Sequence, residues 1–146
     1  MRNKLLLTCE HACLFIPDEF VQLFKNQNGL VKSPEGWDIG AYQTFKAIRK
    51  VFRSDAYYGK WSRLVVDLNR SEHHRHLFSE VTKDLPDAVK EDILRKYYYP
   101  YRHQIIHQIE QNKKEKFCTL HLSIHSFTAD NKNAKKTDIG VLYDPA

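Results

Sequence analysis

Apolar positions along the chain follow two rhythms, a short continuous one and a three-to-four one. Residues 4 to 9 (Lys4-Leu5-Leu6-Leu7-Thr8-Cys9) form a brief apolar run that closes on polar residues, which predicts a buried strand. The stretch from Glu10 to Pro17 then reads as a loop leaving that strand's carboxyl end. From Trp37 to Phe52, apolar side chains recur at Ile39, Ala41, Tyr42, Phe45, Ile48, Val51 and Phe52. That spacing predicts an amphipathic helix, with Asp38 in its first turn, where a carboxylate suits the helix dipole. Residues 56 to 61 and 64 to 68 predict two strands, or one bent strand. Residues 71 to 85 are polar and histidine-rich, with no clear period. Asp87 to Lys116 has a helical composition interrupted by Pro100, which predicts two helices or a kink. Phe117 to Ile124 is the second strong strand, ending at His125; residues 128 to 138 predict a polar loop and 139 to 143 a further strand. Strands alternating with helices predict an α/β sheet with some parallel strands.

Composition narrows the class. The 146 residues, 42% hydrophobic and 12% aromatic, suffice for one domain with its own core, so 1–146 is read as a single domain. No apolar run is long enough to span a membrane. The three leucines after Met1-Arg2-Asn3-Lys4 are too short for a signal-peptide core, which leaves a cytoplasmic expectation. The net charge of +5 raises the question of nucleic acid. Its excess, however, sits in Lys113, Lys114 and Lys116 and in Lys132, Lys135 and Lys136, in polar stretches without a nucleic-acid signature, so solvated surface lysines are the reading. Cys9, Cys13 and Cys118 complete no structural zinc pattern and read as reduced thiols, Cys9 and Cys118 within apolar runs where buried thiols are common.

The candidate chemistry gathers where strands end. In open α/β sheets, working residues lie outside the carboxyl ends of strands. His11 follows the first strand and His125 follows the Phe117 strand, so neighbouring strands would bring them together. Asp38 offers an oxygen ligand, with Glu10 as its competitor; two histidines and a carboxylate with an open position make a catalytic zinc site. In the segment Ser62 to Arg70, Arg63 and Arg70 flank an apolar run and Asn69 adjoins the second. Arginine forks bind carboxylates, although the two could equally pair with Asp67 or Glu72, and seven-residue spacing requires a bend before they converge. The cluster Glu72-His73-His74-Arg75-His76 is a poor metal site, because adjacent side chains diverge and Arg75 repels a cation. Tyr97 to Tyr101 reads as packing surface, with His103 able to reach the cleft from a helix end.

Taken in order, several segments resemble the N-formylglutamate amidohydrolases. They are Cys9-Glu10-His11-Ala12 through Pro17, Trp37-Asp38-Ile39-Gly40-Ala41, Ser62 to Arg70, Tyr98 to His103, Leu122-Ser123-Ile124-His125-Ser126, and Asp138 to Asp144. The resemblance implies a fold similar to zinc-dependent exopeptidases, a three-layer α/β/α sandwich with a mixed, partly parallel sheet. It implies metal-assisted hydrolysis of a small-molecule N-acyl amino acid, typically N-formyl-L-glutamate to formate and L-glutamate in histidine breakdown. Zinc or another divalent ion would be held by His11, Asp38 and His125, with Arg63, Asn69, Arg70 and His103 binding substrate. It further implies a longer chain whose later part carries a glutamate general base. Glu10 is the candidate for that role here, and a carboxylate-binding relative without catalysis is the alternative.

Overall fold

The computed structural model describes residues 2–128 and 139–143. Strand β1 (Arg2–Cys9) is central, β2 (Asp55–Tyr58) and β3 (Phe117–Ser123) flank it, and both pair with it in parallel. No antiparallel pair occurs among the described residues. The leucine run forms the middle strand because both its faces are covered, as parallel strands require. Leu6 packs with Val65, Ile93, Tyr101 and Ile105, whereas Leu7 packs on the opposite face with Ala41 and Phe45. Leu6 and Leu7 are completely buried, each worth about 1.5–3 kcal/mol.

Helix α1 (Asn28–Lys32) is a single short turn, and helix α2 spans Ala41–Phe52. The predicted helix from Trp37 is therefore shortened, and Asp38 stands in the loop before it. Gly40 causes this: at φ 87° it takes a left-handed conformation that side-chain-bearing residues resist, and the chain turns there into α2. Asp38 is fixed by its own amide, bonded to His11 O at 3.0 Å, and by its carbonyl, which accepts from Ala41 N at 3.1 Å.

The helical region from Asp87 carries a local irregularity in place of a break. Helix α3 (Asp87–Ile93) passes through a π turn at Leu94–Tyr98 into helix α4 (Tyr99–Lys114), with helical backbone angles at both junctions. Pro100 is the second residue of α4, and the wider turn before it accommodates the missing N–H.

Two strand expectations are corrected. Residues 64 to 68 are buried yet form turns. Their backbone groups are satisfied by hydroxyls from the returning polar stretch: Ser79 Oγ donates to Leu64 O at 2.6 Å, and Thr82 Oγ1 lies 3.2 Å from Leu64 O and Val65 O. Ser62 Oγ accepts from Leu64 N, and Asp67 N bonds Leu77 O. Residues 139 to 143 are exposed and form no strand. Of the predicted loop 128–138, residues 129–138 lie outside the described residues. Cys9 is buried, its thiol pushed up to about 12, chiefly by burial; Cys118, expected inside, is exposed on β3.

Candidate metal centre

Because β1 and β3 are neighbours in one parallel sheet, the loops leaving their carboxyl ends emerge side by side. That adjacency brings His11 and His125 together, with ring centroids 4.9 Å apart. Asp38 reaches the same point from the turn before α2. One ligand atom each from His11, Asp38 and His125 lies within 4.8 Å of the others.

Each imidazole is held from behind by a carboxylate. His11 Nε2 donates to Asp67 Oδ1 at 2.7 Å, leaving Nδ1 to face Asp38 Oδ1 at 3.4 Å. His125 Nδ1 faces Asp38 Oδ2 at 2.7 Å, and its Nε2 lies 3.2 Å from Glu10 Oε2 and 2.9 Å from Ser123 Oγ. The two rings thus present the same atom, Nδ1, to one carboxylate, each with a second carboxylate at the rear. This is the arrangement in which metal-ligating histidines are oriented by outer partners. The fit to a cation rests on one further observation: His11 Nδ1 is buried and makes no hydrogen bond. An orphaned buried nitrogen aimed at a carboxylate and a second imidazole suits a divalent ion taking nitrogen and oxygen ligands.

The electrostatics match. Burial pushes the Glu10 carboxyl up, but hydrogen bonds from His125, Ser123 and Tyr101 win and hold it down at about 2. Burial likewise opposes ionisation of Asp38, and His11 and His125 hold it well below the usual carboxylate range. Burial lowers His125, but Asp38 and Glu10 raise it to about 9; His11 is raised against its burial by Asp38 and Asp67. Tyr101, buried against Glu10, is pushed far upward and stays a neutral donor.

Asp67 sits at the hub of the second constellation. Arg63 Nη2 donates to its Oδ2 at 2.7 Å, Asn69 N to its Oδ1 at 3.0 Å, and Arg70 Nε approaches Oδ2 at 3.8 Å. The ion pairing weighed for Arg63 is therefore present, and the turns over residues 63 to 70 supply the bend that brings both arginines to one side. Arg63, Asp67 and Arg70 line a cavity of about 330 Å³ together with Glu35, Leu64, His76 and Phe78. Asn69 is exposed, with its backbone engaged. His103 is not brought to this cavity: it is exposed on α4 and stacks on Tyr99 at 5.9 Å. Among the histidines of 73 to 76, only His76 lines the cavity.

Three participants escaped the sequence reading: Asp67 as the partner of His11, and Tyr101 and Ser123 as partners of Glu10. An acid inside the apolar run Val65-Val66-Asp67-Leu68 was the available signal for the first. Hydroxyls of the other two carried none.

Fold and site together define an α/β protein with a histidine, histidine, aspartate cluster at the carboxyl ends of parallel strands. The family model for N-formylglutamate amidohydrolase matches residues 3–145, and the chain belongs to that family. Among solved structures, the chain is similar to a crystallised gene product from Agrobacterium tumefaciens, with a TM-score of 0.76 and 25% identity, over 85% of this chain and 52% of that one. The chain thus spans about half the length of that neighbour. None of the curated proteins matches it significantly.

Proposed function

We propose that this chain is a metal-dependent hydrolase that cleaves the linear amide bond of an N-acyl amino acid, with N-formyl-L-glutamate the substrate that the family's name puts first. The observation that carries this reading is the orphaned His11 Nδ1, buried opposite Asp38 and beside His125. Zinc or another divalent ion, when bound, lowers the pKa of water from 15.7 to about 7 and polarises a carbonyl.

The chain's own residues then have distinct tasks. His11, Asp38 and His125 hold the ion. Asp67 and Glu10 fix the two rings from behind, so Glu10 serves by positioning His125, its oxygens being occupied by Tyr101, Ser123 and that ring. Arg70, with Arg63 beside it, faces the cavity and takes the substrate carboxylate, setting the acyl group toward the cluster. Helices on opposite faces of β1 support a sheet that forms the middle layer of an α/β/α sandwich.

The test is formate release from N-formyl-L-glutamate and other N-formyl amino acids by the zinc-loaded chain. Release that a chelator abolishes and zinc restores supports the reading. Absence of release from every N-formyl amino acid contradicts it. In an active chain, Arg70→Ala raises KM with a smaller effect on kcat; an unchanged KM removes Arg70 from the carboxylate site.

A further inference from the structure

Two buried phenols on one helix face tie the halves of the site together. Tyr98 closes the π turn at Leu94–Tyr98, and Tyr101 lies in the first turn of α4. A π turn widens the helix by one residue and so rotates every later side chain about its axis. Three positions apart with helical backbone between them, the two rings share one side of the helix. That side is turned to the core, where Tyr98 is 3% and Tyr101 7% exposed. Tyr101 donates to Glu10 Oε1 at 2.8 Å. The other oxygen of that carboxylate accepts from Ser123 Oγ and faces His125 Nε2 at 3.2 Å. Tyr98 donates to Arg70 O at 2.7 Å, while Arg70 N donates to Asp67 O at 3.1 Å. Both backbone groups of Arg70 are therefore pinned, which fixes where its side chain enters the cavity. One helix end thus holds the metal side of the site through Glu10 and the ligand side through Arg70.

We propose that Tyr98 and Tyr101 are positioning residues with separate duties: Tyr101 sets His125 for the ion through Glu10, and Tyr98 sets Arg70 for the ligand carboxylate. The Tyr98 half rests on the hydrolase reading for its ligand; the Tyr101 half rests on the metal cluster alone. The experiment compares the unaltered chain with Tyr101→Phe and Tyr98→Phe, each of which removes one hydroxyl and keeps the ring. Zinc affinity is read by chelator competition, and binding of N-formyl-L-glutamate to the zinc-saturated chain by calorimetry. Tyr101→Phe weakens zinc binding about tenfold, the lower end for partners that orient a ligating histidine. In a Glu10→Gln background, where the link is already broken, the same change costs less than about twofold. Tyr98→Phe leaves zinc affinity unaltered and weakens N-formyl-L-glutamate binding by about threefold or more, the scale of one hydrogen bond. Unaltered zinc affinity in Tyr101→Phe, unaltered ligand affinity in Tyr98→Phe, or loss of both readings together in each variant overturns the proposal. An unaltered chain that takes up no zinc, or no N-formyl-L-glutamate, overturns it as well. Formate release is followed in parallel: the predicted separation without release removes the hydrolase reading and leaves the positioning roles standing, and release without the separation does the reverse.

Discussion

At the scale of single residues, the site depends on carboxylates that touch no ligand. Asp67 holds His11 Nε2 and so keeps Nδ1 facing Asp38. Asp67→Asn should weaken zinc affinity by about 10–100-fold, measured by competition with a chromophoric chelator. Wild-type affinity in that variant would mean His11 is oriented by packing alone. The same charges make the metal-free fold sensitive to pH. Burial lowers His125, yet Asp38 and Glu10 raise it from 6.5 to about 9. A basic group held above its unfolded value contributes stability fully below pH 6.5 and loses it as pH rises through 9. The raised His11 acts in the same direction. The urea midpoint of the metal-free chain should therefore fall between pH 6.5 and 9; a flat or rising profile contradicts the pairing. His11, Asp38 and His125 were legible as candidates because each sits beside a clear apolar element. Asp67 was not, since its partner lies 56 residues away and only folding joins them.

At the scale of elements, apolar runs predicted strands where the ladder was the backbone's sole means of satisfaction. β1 and β3 follow that logic, and their adjacency makes the site. Residues 64 to 68 break it, because Ser62, Ser79 and Thr82 offer hydroxyls in place of a neighbouring strand. Ser79 and Thr82 come from a stretch without periodicity, so pattern alone could not reveal their hydroxyls. Thr82→Val keeps the shape but leaves Val65 O and Ser79 N without that hydroxyl. It should destabilise the chain by about 1–3 kcal/mol in denaturant unfolding. A change below the error of the measurement would show that the turn is held otherwise. Gly59 is a second constraint near the site: a Cβ there would lie 2.0 Å from Glu10 O. Gly59→Ala should shift the backbone that carries Glu10 and lower thermal stability, whereas an unchanged melting temperature would show that the segment gives freely.

At the scale of the whole molecule, three loops leave one end of a parallel sheet or its flanking turn and meet at one point. The α/β class was readable from alternating strands and helices. The meeting of His11 and His125 was readable once their strands were taken as neighbours. The cavity was only partly readable: seven-residue spacing kept Arg63 and Arg70 apart until the turns brought them together, and Glu35 came from a segment with no pattern of its own. No helix among the described residues is long and apolar enough to cross a membrane.

The most direct test of the account is metal stoichiometry and affinity, by equilibrium dialysis with elemental analysis, for the unaltered chain, His11→Ala and His125→Ala. Shared coordination predicts about one ion per chain in the first and loss of tight binding in both variants. Retention of the ion at unaltered affinity after removal of either imidazole would contradict it.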